Sequence, residues 1–205
     1  GGRVHLMSIS TAGAVEQVRR AKSRGIAITC DATPHHLALT HEAMQDYDAN
    51  FKVMPPLRSR EHVEALIAGL ADGTIDAISA DHQPVAAEKK DRELDQVPFG
   101  IVGLETLLPI CVRTLIETKR LDWPSLIAKL TTGPARVLGL PQAATLAVGS
   151  PADITLIDPA ARWSIDPRRF RSKSSNTPFG GWAVNGMVRA TIVDGEVRFR
   201  SNESS

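Results

Sequence analysis

The run Ile75–Ala80, bounded by Gly73 and Pro84, constrains the fold more than any other stretch of the chain. An apolar segment this short between two chain breakers reads as a strand buried on both faces, the kind found inside parallel sheets. It delivers Asp81 and His82 onto a loop. In a barrel of parallel strands, polar residues at a strand's carboxyl end sit where chemistry is done. A capped turn with a hydrogen-bonded histidine accounts for the same two letters, and taken alone they do not decide between the readings.

The chain before this strand alternates in the same style. Arg3–Ile9 reads as a strand, with Ser10 and Thr11 as cap hydroxyls. A helix follows with Ala14, Val15, Val18 and Ala21 on one stripe and Gly25 closing it. Ile26–Ala32 is the next strand and ends at Thr33-Pro34-His35-His36. A second helix, opened by Ser59, buries Val63, Leu66, Ile67 and Leu70 and stops at Gly73. This order predicts an α/β fold with parallel crossovers. Beyond a charged loop, the segment from Pro98 to Leu121 has a mostly buried helix at its core. Asp122 caps WPSLIAKL, and a further short helix starts near Thr132.

The pattern changes after Leu140. ATLAVGSPADITLIDP reads as a strand, and MVRATIVDGEVRF as a hairpin turning at Asp194-Gly195. The expected division is therefore 1–140 as βα units, 141–200 as β-strands, and 201–205 as a disordered tail. A complete eight-fold barrel takes about 250 residues. Only three βα units are visible here, so the chain reads as the C-terminal portion of a larger design.

The 205 residues carry 24 Lys and Arg against 23 Asp and Glu, which points to no nucleic-acid or membrane surface. Cys30 and Cys111 lie far apart without metal-ligand spacing, so both read as inert core residues of a reducing compartment. Cytoplasm is the expected location. Lys89-Lys90 and Arg168-Arg169 read as solvated faces.

Several stretches together resemble one family: VHLMSIST, TPHHL, KVMPPLRS, GLADGTIDAISADHQP, EKK, VPFGIVGLET, PADITLID and SSNTPFGG. They are similar to dihydroorotase of the longer bacterial and multifunctional-complex class, in the amidohydrolase superfamily. The resemblance implies a zinc-dependent TIM-type barrel, of which this chain supplies strands six to eight. It also implies a small β-sandwich built from both chain ends, and the reversible cyclisation of carbamoyl aspartate.

Carried over residue by residue, the resemblance also implies losses. Asp81, the family's metal-bound proton shuttle, is retained as catalytic residue and as the only metal ligand. Ser8 stands where the second histidine of H-x-x-H-x-S-T binds zinc, and a hydroxyl is a poor substitute for imidazole. His5 is kept, but three residues along a strand it should face away from Ser8. Met54 occupies the place of a substrate-binding Asn, and Val85 that of a substrate-binding His. Pro98 and Gly100 match the backbone that lines the family's pyrimidine pocket. The family carries a pair matching His35-His36 without using it to bind metal.

These substitutions imply a degenerate pseudo-dihydroorotase, with zinc absent or weakly held, that serves as a non-catalytic partner of aspartate transcarbamoylase. The open edges of three βα units further imply self-association. Two alternatives stand beside this reading. One is an active dihydroorotase with ligands supplied from upstream, and the other is a truncated piece without independent function.

Overall fold

A computed structural model describes residues 2–140 and 144–201. Two three-stranded sheets organise them. The first is parallel, in the order β1 (Val4–Leu6), β2 (Ile28–Ala32), β3 (Ala77–Ile78). Val4 pairs with Ile28, and Asp31 with Ala77. The second is antiparallel, β4 (Ile154–Ser164), β5 (Ala183–Val193), β6 (Glu196–Arg200), with bulges that break the β4–β5 register. Among the described residues the parallel sheet does not close into a barrel. Of the expected tail at 201–205, Ser201 is described and its N–H bonds the Arg189 carbonyl, while 202–205 and the residues just after the expected boundary at 140 lie outside those described.

Helix α1 (Ala12–Ser23) is capped by the Thr11 hydroxyl, which accepts from the Ala14 N–H, and Gly25 closes it at φ 73°. Ser10 is not a cap; its hydroxyl accepts from Arg58 Nε. Helix α3 (Arg60–Ala71) buries Val63, Leu66, Ile67 and Leu70, the stripe its periodicity predicts. The backbone at Ser59 takes the cap geometry, but its hydroxyl bonds nothing there. Together α1, α3 and α6 (Trp123–Leu130) cover the parallel sheet through Val15, Val18, Leu66, Leu70, Ile75 and Leu126. Cys30 and Cys111 lie in this core, and burial pushes both thiols up to about 12, so both stay protonated and inert.

The elements depart from the sequence expectation at four places. Strand β1 ends at Leu6 rather than Ile9, because Ser8 adopts φ 51° and turns the chain out of the ladder. Regular pairing of β3 covers Ala77 and Ile78 alone, flanked by single bonds from Asp76 N–H to the Cys30 carbonyl and from Ser79 N–H to the Ala32 carbonyl. Thr33-Pro34-His35-His36, read from the sequence only as the end of a strand, starts a short helix, α2 (Pro34–Ala38), capped by the Thr33 hydroxyl with Pro34 in its first turn. Past a short helix, α4 (Ala87–Lys90), the buried helix expected at the core of the segment after Pro98 is present, but as α5 (Leu107–Cys111) continuing into a π-turn over Val112–Ile116. A π-turn widens the helix by one residue per turn. Here β5 packs against it, with Gly186 facing Val112.

The hairpin turn is as expected. Asp194 and Gly195 both have positive φ (50° and 78°), the signature of a type I′ turn. A second core of Leu39, Val53, Leu57, Ile101, Ile110, Phe179 and Val184 joins the loops above the parallel sheet to the antiparallel one.

Candidate functional site

Two carboxylates mark the carboxyl ends of the parallel strands, and they are held differently. Asp31, near the end of β2, is 4% exposed. Its Oδ2 accepts from His5 Nε2 at 2.8 Å. Its Oδ1 accepts from the Ser8 backbone N–H at 2.9 Å and from the Ser79 hydroxyl at 2.6 Å. The other ring nitrogen of His5 lies 2.8 Å from the Thr29 hydroxyl. His5 and Ser8 thus converge on one carboxylate instead of facing apart. The reason is the left-handed turn at Ser8, which removes the strand alternation that the expectation relied on.

Asp81 lies three residues beyond β3, also left-handed at φ 43°. Its only hydrogen bond among the described residues comes from Gln83 Nε2 to Oδ1 at 2.7 Å. Oδ2 lies 3.8 Å from Nε2 of His35, too far for a hydrogen bond. That Nε2 is buried and has no partner among the described residues. Burial, and secondarily the neighbouring His36, holds the His35 imidazole neutral well below the ordinary histidine range.

His36 is a different case. Its Nε2 lies 2.8 Å from the Pro55 carbonyl, which can only accept, so Nε2 carries the proton. Burial lowers its pKa, and Nδ1 of the neutral ring then accepts from the Thr33 hydroxyl at 2.7 Å. His36 is a satisfied structural histidine. His35 is not satisfied.

His82 turns away from Asp81. It forms a parallel bridge with Ile101, and its Nδ1 accepts from the N–H groups of Gly103 and Leu104. Gly103 is obligatory at this crossing, since a Cβ there would stand 2.2 Å from the Ala80 carbonyl oxygen.

The loops above Asp81 are stitched by a residue that sequence reasoning did not single out. Asn176, from SSNTPFGG, donates through Nδ2 to the carbonyls of Gln83 and Gly100 and accepts at Oδ1 from the Val85 N–H. Its own carbonyl accepts from Val102. The signal was present in the letters, because a buried asparagine must satisfy both ends of its amide.

Val85 therefore contributes its backbone to this clamp. Gly100 is buried at φ 133°, with N–H bonded to the Lys52 carbonyl and C=O to Asn176, so it can offer a pocket shape but no free N–H. Pro98 is exposed, and its carbonyl accepts from Lys90 Nζ. Lys90, expected to be a solvated charge, also donates to the Ala49 carbonyl, and burial lowers its pKa. Lys52 anchors the same loop through the Leu94 carbonyl and lies 4.8 Å over the Phe99 ring. Met54 is 53% exposed.

Zinc needs about three protein ligands and an open position. Among the described residues no group of three or more His, Cys, Asp or Glu side chains is placed to share an ion. Asp81 is a carboxylate with open lone pairs, Ser8 brings a hydroxyl, and His5 is committed to Asp31. These residues by themselves do not fit a zinc centre. What they offer chemically is one accessible carboxylate beside a neutral, unsatisfied imidazole.

A parallel sheet with helices on it and a polar cluster at the strands' carboxyl ends is the arrangement found at the catalytic face of α/β barrels. The model of the Amidohydrolase family matches residues 3–198, and the chain belongs to that family. Within it, the chain is 45% identical over 203 residues to the dihydroorotase of Caldanaerobacter subterraneus subsp. tengcongensis, covering 99% of this chain and 47% of that protein. It is 49% identical over 197 residues to the dihydroorotase of Pelotomaculum thermopropionicum, covering 96% and 46%. Among solved structures, the L-hydantoinase (dihydropyrimidinase) from Arthrobacter aurescens superposes with a TM-score of 0.93 at 31% identity, over 99% of this chain and 46% of that one. Dihydropyrimidinase from Brevibacillus agri gives 0.90 at 26%, over 97% and 45%. The chain thus spans about half the length of the relatives it matches. No described helix is long and apolar enough to cross a membrane.

Proposed function

We propose that the chain carries the strand six to eight portion of a dihydroorotase-like protein of cytoplasmic pyrimidine biosynthesis. In this reading it is impaired in catalysis and acts as a partner of aspartate transcarbamoylase. The observation that carries the proposal is Ser8. At the position where an imidazole would face a metal, the chain offers a hydroxyl and a left-handed backbone whose N–H is spent on Asp31. Met54 and Val85, at the positions matched to substrate-binding Asn and His, bring no side-chain polar group. The similarity to dihydroorotases supports the substrate class. Loops held by Asn176, Lys52 and Lys90 supply the ordered surface that a binding partner needs. The exposed Val4, Leu6 and Met7 on the open edge at β1 support association with a second copy or with a partner segment.

The test combines elemental analysis, a dihydroorotase assay, and size-exclusion chromatography after co-expression with the cognate transcarbamoylase catalytic chain. Zinc well below one per chain, no turnover and joint elution are expected. Stoichiometric zinc that disappears in Asp81→Ala, or turnover by the protein alone, overturns the reading.

One observation favours a second reading, an active dihydroorotase completed by ligands from elsewhere. It is the orphaned His35 Nε2 beside the open Asp81 oxygen, a polar pair that the chain itself leaves unfinished. Combining Ser8→His, Met54→Asn and Val85→His discriminates the two. If catalysis has been lost through these positions, the triple change raises activity above every single change; in an already active enzyme it does not.

A further inference from the structure

A cavity of about 480 Å³ opens between the start of α5 and the antiparallel sheet, well within the size range of small-molecule sites. Asp81 is not part of its lining. Part of its lining is apolar, Leu104, Leu108 and Phe199 among it, with Trp163 fixed by its indole N–H on the Gly186 carbonyl at 3.1 Å. Leu104 is 61% exposed at this wall.

The charge in the lining is unevenly committed. Both carboxylates are already occupied. Asp166 is held in a two-point pair by Arg168, which with the Arg168 backbone N–H keeps its pKa down at about 2. Glu105 Oε1 accepts from the N–H groups of Arg171 and Ser172. The guanidinium groups of Arg171 and Arg200, in contrast, have no carboxylate partner among the described residues. Arg171 is nevertheless positioned, with its backbone bonded to Glu105 and its guanidinium 5.1 Å over the Phe199 ring. Stacking on an aromatic face leaves the in-plane N–H groups of a guanidinium directed outward, the geometry that receives a carboxylate or phosphate.

We propose that this cavity binds a small amphipathic organic anion, with a flat apolar body against Leu104, Leu108 and Phe199 and its carboxylate or phosphate on Arg171 and Arg200. The apolar walls alone would accept a neutral ring, and the arginines alone would accept a bare ion. Having both sides in one concavity selects a molecule that carries both.

Calorimetry on the full chain with naphthyl phosphate, naphthoate, neutral naphthol and inorganic phosphate tests this, with the Trp163 indole N–H followed by heteronuclear NMR. At least one naphthyl anion should bind about tenfold or more tighter than naphthol and shift the Trp163 signal; which anion binds better separates a phosphate from a carboxylate ligand. The double change Arg171→Gln and Arg200→Gln should erase that preference, and Leu104→Asp should weaken anion binding through repulsion. Equal affinity for naphthol, inorganic phosphate binding as tightly as naphthyl phosphate, an unmoved Trp163 signal, or undiminished binding by both variants would each overturn the proposal.

Discussion

Asp31 and Asp81 carry the same group at the ends of neighbouring parallel strands, and the chain surrounds them in opposite ways. Asp31 is buried and takes hydrogen bonds from His5, Ser8 and Ser79, donors brought from the ends of the two strands that flank its own. It ties the ends of β1, β2 and β3 together. Asp81 takes one bond, from Gln83, and faces a buried imidazole that has no partner. A carboxylate whose lone pairs are filled by its own chain is a structural part. One with open lone pairs, on a backbone held at positive φ, is available to an outside group. Distance along the strand separates the two roles: Asp31 is inside the ladder, and Asp81 is past it.

The largest expected effect breaks the structural half of this contrast. Asp31→Ala leaves the Ser8 N–H and the Ser79 hydroxyl without an acceptor and strands His5, so it should cost about 3–5 kcal/mol in urea denaturation. A loss below about 1 kcal/mol would mean that Asp31 is no more structural than Asp81.

Next comes the clamp above Asp81. Asn176→Ala removes the acceptor of the Val85 N–H and the donor to Gln83 and Gly100, the last of these bonds fully buried. A cost of about 2–3 kcal/mol is expected. Amide exchange at Val85 should quicken far more than at Ile78 in β3. Uniform quickening would mean that the loops and the sheet open as one unit.

The sequence made the repeating parts of this molecule legible and concealed the local ones. The stripes of α1 and α3, the Asp122 cap and the Asp194-Gly195 turn follow from spacing and side-chain chemistry that act within a few residues. Asp81 was legible because a buried apolar run points to its own carboxyl end. Asp31 was not, since three of its partners lie more than 20 residues away. The left-handed turn at Ser8, which brings two of them together, has no glycine or asparagine to announce it. Asn176 was visible inside a motif, but its role depends on loops 76 and 93 residues distant. The short helix at Pro34 has its signal in Thr33-Pro34, a cap hydroxyl followed by a first-turn proline, but a helix of five residues is too short to show an apolar period.

A pH titration sharpens the contrast from the imidazole side. Burial lowers the pKa of both His35 and His36 in the folded state, while the unfolded chain titrates near the ordinary 6.5. Above that pH neither state takes up a proton, and the full stability is present. As pH falls below it, the unfolded chain binds protons that the folded chain refuses. Stability should then drop by about 1.4 kcal/mol per pH unit for each such histidine until the folded value is reached. The window from about pH 6.5 to 5 lies above the ordinary carboxylate range, so the acids contribute little there. His35→Gln should reduce the slope in thermal melts across that window; an unchanged slope would show that His35 is protonated in the folded protein.

The smallest expected effect is at Asp81 itself. Its carboxylate makes one hydrogen bond, to an exposed glutamine, and its backbone at φ 43° sits in the region that asparagine tolerates well and alanine does not. Asp81→Asn should therefore change stability by less than about 0.5 kcal/mol. Asp81→Ala should cost about 1 kcal/mol, almost all of it from the backbone. Asp81→Gly separates the two terms, because glycine removes the left-handed strain along with the side chain, and its greater freedom in the unfolded chain offsets part of that gain. If Asp81→Gly melts within a degree or two of the parent while Asp81→Ala melts lower, the fold does not require the carboxylate, and chemistry or binding is left as its use. A drop in Asp81→Asn as large as that in Asp31→Ala would erase the distinction between the two acids.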